Sequence, residues 1–363
     1  MKTSTMPRNI SSGKFNLIYY SLLIMFTSYA LLDTFVIPKR YSADTERLQV
    51  TVKEVSKSVT AEDAAVSEKK KHERPSGGPG MAKPGSHTSK TTSATADVTT
   101  TIDTVSSDTA LGTYSDSVKT ITVSEYRAND TSIYVADVRL VGDATTEDSD
   151  AYTSQDLIKT AFAEDTYGKN VKAETSEIAE ENNAILAING DFYGAQNEGY
   201  VVRNGTLYRS TSRGNEDLAI LTDGTLRIFS EDEVSAEEIL SEGASDVLSF
   251  GPGLVIDGEI AVTKDEEVGK AMASNPRTAI GMLEDGHYVF VVTDGRTSES
   301  TGLTLYQLAE FMQSLGCTTA YNLDGGGSST MYFNGQIVNK PTTGGNKISE
   351  RSVSDIIYIA KQD

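Results

Sequence analysis

Four short segments place polar and glycine residues beside apolar runs: NGDFYG (189–194), NPRTAIG (275–281), TDGR (293–296) and NLDGGGSST (322–330). They carry three aspartates, Asp191, Asp294 and Asp324, which could work as nucleophile, base or acid. They also carry Arg277 and Arg296, whose forked donors match a phosphate. The run Gly325, Gly326 and Gly327 lets backbone amides approach an anion closely, and Ser328, Ser329 and Thr330 add hydroxyl donors. It is not a P-loop, because no lysine follows the last glycine. Plainer readings exist for each feature. The aspartates suit turns, Asp191 suits a loop cap, and GGGSS suits a hairpin connection.

The rest of the composition narrows the chemistry. The chain of 363 residues has three histidines and one cysteine. His72 and His87 lie in a polar stretch, and His287 in the turn-like EDGHY is expected to be solvated. Cys317 alone can form neither an internal disulfide nor a cysteine zinc site, and just past a helix end it reads as a small buried residue. Ser-His-Asp and Cys-His catalysis therefore lack material. A histidine-rich metal site is excluded as well. Carboxylate chemistry assisted by arginine remains, as in glycoside hydrolysis, where two carboxyl groups flank the scissile bond. A carboxylate-only magnesium or calcium site is the other possibility; no cofactor is called for. The net charge of −20 argues against a nucleic-acid partner. An anionic substrate would need a local cationic pocket.

The elements that must position these residues begin near Tyr114. Short apolar or alternating runs at 132–141, 184–190, 218–229, 247–258, 288–295, 319–325 and 355–360 read as strands and hairpins. Segments 154–164 and 174–183 read as helices. The clearest helix is 304–316: Thr304 and Gln307 make a capping box, Leu303 and Leu308 a hydrophobic staple, and Gly316 a left-handed stop. Leu305, Leu308, Ala309, Met312 and Leu315 form its apolar stripe. In a right-handed crossover this unit would deliver the loops of Asp294 and Asp324 to one sheet edge. The expected fold class is α+β or mixed α/β, a single catalytic domain with a mixed β-sheet flanked by helices.

Upstream, residues 15–37 form one long apolar run, about the length of a membrane-crossing helix. Lys2, Arg8 and Lys14 precede it and would hold residues 1–14 in the cytoplasm. This reads as an uncleaved signal anchor, with a cleaved signal or a buried helix as alternatives. Residues 38–113, rich in Pro, Gly, Ser and Thr, read as a flexible linker. The expected catalytic domain, 114–363, would then lie outside the cytoplasm on a single-pass membrane protein, and the lone cysteine favours a bacterial cell surface.

Six segments in order, NGDFYG, FGPGLVIDG, NPRTAIG, VVTDGR, NLDGGGSSTMYFNG and ERSVSDIIYI, resemble the phosphodiester glycosidase family over most of 115–363. The resemblance implies a mixed α/β domain that hydrolyses the anomeric C–O bond of a sugar-1-phosphodiester of N-acetylglucosamine type. The substrate would be a sugar phosphodiester or anionic polysaccharide of the cell envelope. On this reading Asp191 and Asp324 lie nearest the anomeric carbon. Arg277 holds the phosphate, aided by the Gly325–Gly327 amides, Ser328 and Ser329. Asp294 and Arg296 grip sugar hydroxyls or orient the others, Asn189 and Asn322 bond the sugar, and Arg351 is a second phosphate ligand. Asp355 departs from the neutral residue anticipated in the closing segment. Two other functions compete: a non-catalytic polysaccharide-binding module, and a metal-dependent phosphodiesterase that cleaves P–O.

Overall fold

The computed structural model describes residues 12–41, 110–141, 157–268, 274–344 and 347–362. Lys2, Arg8, His72, His87 and nearly all of the expected linker lie outside them. Among the described residues, three antiparallel sheets of five or more strands make up the body of the fold, beside two two-stranded ribbons. The first has eight strands in the order Glu259–Ile260, Gly253–Ile256, Thr319–Leu323, Thr278–Glu284, His287–Thr293, Thr131–Leu140, Lys119–Ala128 and Ala110–Ser115. The second runs Gln336–Ile337, Met331–Phe333, Ala184–Asn189, Asp355–Ala360, Lys159–Phe162. The third runs Leu226–Ser230, Glu216–Leu221, Ala244–Leu248, Val201–Arg203, Thr206–Arg209.

Alternation along the strands explains how three sheets share one core. Tyr134, Ala136, Val138, Phe290, Val292, Ile280 and Leu323 of the first sheet pack with Ile188, Met331 and Ile357 of the second and Leu218 and Leu248 of the third. The intervening residues face outward but are also buried, each sheet under one helix. Ile133, Val135, Val289 and Val291 pack under Leu305–Ser314, through Leu305, Leu308, Phe311 and Met312. Ala187 and Ile356 pack under Thr175–Glu181, and Val202, Ala219 and Val247 under Ala236–Ser241. Burial on both faces is why 288–293 reads as a continuous apolar run rather than an alternating one. At about 25 cal/mol per Å² of apolar surface, this double burial is the main stabilising contribution.

The helix Leu305–Ser314 starts on the anticipated capping box: Gln307 N donates to Thr304 Oγ1 at 3.1 Å, and Thr304 N donates back to Gln307 Oε1 at 3.0 Å. Gly316 follows at φ +93°. The strands on either side of this helix run parallel, since both pair antiparallel with Thr278–Glu284, which lies between them. They are therefore not neighbours, and every ladder of the three sheets is antiparallel, which corrects the expected mixed sheet. Asp294 and Asp324 nevertheless leave at one edge, and Arg277 enters at that same edge.

Other expectations change too. Within 154–164 the described residues contain the strand Lys159–Phe162 and the start of the 3-10 turn Ala163–Asp165, not an α-helix. Leu157, Ile158, Ala161 and Phe162 have helical spacing, but pairing with Asp355–Ala360 prevails. His287 is buried rather than solvated: the hairpin turns at Asp285–Gly286, so His287 falls in the strand, opposite Arg139, with Nε2 3.0 Å from Asp137 Oδ2. The first sheet already includes Ala110–Ser115, and Lys39–Arg40 pairs with Gly168–Lys169, so both ends of the expected linker are structured. Ser12–Phe35 is a helix with Leu17, Ile24 and Phe26 exposed. Among the described residues, however, no helix is long and apolar enough to cross a membrane. Asn16, Ser21, Thr27, Ser28 and Asp33 dilute the run.

Candidate active site

Strand ends from all three sheets converge around Asn189. Its Nδ2 donates to the Asp324 carbonyl at 2.7 Å, and its Oδ1 accepts from Thr278 Oγ1 at 2.8 Å and Thr330 N at 3.3 Å. The backbone continues the seam: Asp324 N donates to Gly190 O at 3.3 Å, and Gly190 N to Asp355 O at 3.0 Å. Asn189 is thus committed at both ends of its amide and fully buried, holding the first sheet to the second. Gly190 is required by close approach, because a Cβ there would lie 2.6 Å from Asp355 Oδ1.

An inner cluster is closed to solvent. Asp191 Oδ1 accepts from Tyr193 N at 2.9 Å, the loop-capping contact. Its Oδ2 accepts from Ser249 N at 2.9 Å and Arg203 Nη2 at 3.1 Å. Arg203 Nη2 also donates to Asp355 Oδ2 at 2.6 Å. The guanidinium donates further to the carbonyls of Val202 and Val247, and lies 5.9 Å from the Tyr193 ring centroid. One cation therefore faces two carboxylates. Burial would lower the Arg203 pKa, but the charges of Asp191 and Asp355 outweigh it and the net shift is upward. Burial, then the Asp191 charge, raises Asp355 well above the carboxylate range. One guanidinium thus sits between two buried carboxylates, and ionising Asp355 there is opposed by burial and by the neighbouring Asp191.

An outer cluster opens to solvent. Arg351 Nη2 donates to Asp324 Oδ2 at 2.9 Å, and Arg351 Nε to Ser328 Oγ at 3.0 Å; Ser328 in turn donates to Asp324 Oδ2 at 2.5 Å. The Arg351 side chain is 40 % exposed and that of Asp324 13 %. Burial raises the Asp324 pKa, and the Arg351 charge and Ser328 hydrogen bond only partly offset it. Arg351 lies over the Phe192 ring, 6.0 Å from its centroid. Beside it runs Gly325–Gly327. A Cβ on Gly326, at φ +65°, would lie 2.8 Å from Arg296 Nη2, and one on Gly327 3.5 Å from Arg351 Cδ. The glycine floor thus sits between two arginines, with Arg296 held by Asn275 Oδ1 at 3.0 Å.

Several anticipated residues point elsewhere. The Arg277 backbone nears the glycine run, but its guanidinium donates to Leu303 O at 2.9 Å and to Glu267 Oε2 at 2.8 Å. Burial lowers its pKa despite Glu267. Asp294 accepts from Tyr134 Oη at 3.2 Å, Asn339 Nδ2 at 3.2 Å and Lys340 N at 2.8 Å, and so anchors 339–340. Asn322 Nδ2 donates to Gly251 O at 2.8 Å and supports the loop before Gly253–Ile256. Ser329 Oγ is 3.2 Å from Thr278 Oγ1, inside the seam. Asn189, Asp294, Asn322 and Ser329 are therefore placed to position loops. Among the described residues, no group of three or more His, Cys, Asp or Glu could hold a metal ion.

Arg203 was missed from sequence. It ends an apolar strand and precedes Asn204–Gly205, so it reads as a turn arginine. The unexpected charge of Asp355 in an apolar strand was the one signal of its partner.

Residues 182–360 match the phosphodiester glycosidase family. The SPbeta prophage-derived uncharacterized protein YomE of Bacillus subtilis (strain 168) is 30% identical over 203 residues, which cover 54% of this chain and 31% of that protein. The N-acetylglucosamine-1-phosphodiester alpha-N-acetylglucosaminidase of Bos taurus is 31% identical over 191 residues, 47% of this chain and 35% of that protein. The chain thus spans about a third of the length of these curated relatives. The zebrafish N-acetylglucosamine-1-phosphodiester alpha-N-acetylglucosaminidase catalytic domain, auto-inhibited by its pro-peptide, shares the fold. Its TM-score is 0.51 at 20% identity, over 70% of this chain and 87% of that one.

Proposed function

From the match of residues 182–360 to the phosphodiester glycosidase family we propose that the protein hydrolyses the anomeric C–O bond of a sugar-1-phosphodiester. The observation that carries this reading is the pairing of Asp324 with the solvent-exposed Arg351, beside a glycine run flanked by Arg296. A phosphate resting on Gly325–Gly327 would meet Arg351 and Arg296, two forked donors. Asp324 would then face the adjoining anomeric carbon, where a carboxylate stabilises oxocarbenium character or attacks directly. The C–O bond breaks, its electron pair leaves on the phosphate oxygen, and water supplies the new anomeric hydroxyl. A phosphate is a good leaving group, so stabilising its charge matters more than protonating it. Asp191 and Asp355, sealed around Arg203, hold the loop from which Phe192 supports Arg351.

We take N-acetylglucosamine as the sugar because that is what the named bovine relative acts on. An envelope substrate outside the cytoplasm is part of the proposal, and rests on Lys2, Arg8 and Lys14 ahead of an apolar run, the order of an export signal. Incubation with UDP-N-acetylglucosamine, with and without EDTA, tests the reaction. Free sugar plus UDP in both conditions is expected. Sugar 1-phosphate plus UMP, lost in EDTA, would replace this reading with a metal-dependent phosphodiesterase.

A further inference from the structure

The loop after Asp191 serves two places. Phe192 lies beneath Arg351, while Tyr193 and Gly194 line a cavity of about 200 Å³. Its other walls are Tyr41, Tyr167, Lys169, Gln196 and Arg209, among others. Tyr167 and Tyr193 stack at 5.4 Å between centroids and 17° between planes, and Tyr41 approaches Tyr167 at 6.0 Å. Arg209 is fixed by the carbonyls of Gly199, Tyr193 and Gln196 at 2.6, 3.1 and 3.0 Å. Lys169 Nζ reaches Asn197 Oδ1 at 3.0 Å on the rim.

Among the described residues no carboxylate lines this cavity, although the chain carries a net charge of −20. Tyr193 is buried against Tyr167, so the exposed Tyr41 and half-buried Tyr167 present the aromatic surface to the C–H side of a pyranose, while amides bond its hydroxyls, and lysine and arginine favour an anionic substituent. We propose that the cavity is a second saccharide subsite, which takes a neighbouring sugar phosphate unit of a substrate longer than one residue. This rests on the glycosidase reading, and makes the natural substrate a phosphate-linked polysaccharide rather than a nucleotide sugar.

Hydrolysis of UDP-N-acetylglucosamine and of a synthetic trimer of N-acetylglucosamine 1-phosphate is compared in the wild type, Tyr167→Ala and Lys169→Ala. The expected result is a KM for the trimer raised tenfold or more by Tyr167→Ala and several-fold by Lys169→Ala, with UDP-N-acetylglucosamine hydrolysis unchanged. Trimer KM unchanged in both variants would overturn the subsite, as would equal losses on both substrates in variants with native circular dichroism. Should Tyr167→Ala not fold, the Lys169→Ala comparison decides. If the wild type hydrolyses neither substrate, the glycosidase reading has failed separately. Calorimetric binding of the trimer, weakened by Lys169→Ala, would then still support the subsite, and its absence would reject it.

Discussion

Arg203 Nη2 lies 2.6 Å from Asp355 Oδ2, joining the third sheet to the second across 152 residues of chain. Both side chains are closed to water. Replacing Arg203 by Met strands the Asp191 carboxylate in that interior. Removing one partner of a buried pair costs about 3–5 kcal/mol. Urea unfolding of Arg203→Met should show that loss as a lower midpoint with little change in slope; a variant as stable as wild type contradicts the assigned network.

The raised pKa of Asp355 makes its contribution to stability fall as pH rises. Its folded pKa is raised, so the native state binds the proton more tightly than the unfolded chain does. That contribution is complete below the ordinary aspartate value and is lost as pH rises through the folded value. Asp355→Asn fixes the neutral form. Its stability should fall less than that of wild type as pH is raised from about 4, the unperturbed aspartate value. Parallel curves for the two proteins would show that Asp355 is ionised in the fold.

Asp324 is raised by burial and lowered by Arg351. If its ionised form does the chemistry, kcat falls as pH drops through that raised value, so the acid limb lies above the ordinary carboxylate range. Arg351→Gln removes the lowering charge and should move the limb to higher pH. A limb that stays in place would place the essential carboxylate elsewhere.

Gly326 tests the phosphate floor. At φ +65° a side chain costs about 1–2 kcal/mol, and its Cβ would also press on Arg296. Gly326→Ala should raise KM for a sugar phosphodiester while the protein stays folded. Unchanged KM would remove the glycine run from the binding surface.

The sequence made the strands, the capped helix 304–316 and the loops of Asp191 and Asp324 legible, because periodicity and capping are local signals. Pairing between distant segments is not local. The strand Lys159–Phe162 was hidden by helical spacing, and the strand between the two crossover partners was invisible to the strand–helix–strand pattern. The site divides the same way. Strand-end polar clusters located Asp324 and Ser328, and the family resemblance pointed to Arg351; the three do meet. Arg277 stood in an equally suggestive motif, yet Glu267 takes its guanidinium, and nothing in the local sequence announces that pair. Arg203 was missed because its two carboxylates are 12 and 152 residues away.

Hydrolysis of UDP-N-acetylglucosamine in water enriched in oxygen-18 tests the central claim most directly, by wild type and Asp324→Asn. Cleavage at the anomeric C–O bond puts the label in the sugar hydroxyl. Loss of about 10²–10⁴-fold in kcat is expected for Asp324→Asn, the range for a carboxylate acting on the reacting atoms. Label in the phosphate product, or full activity in Asp324→Asn, would contradict the account.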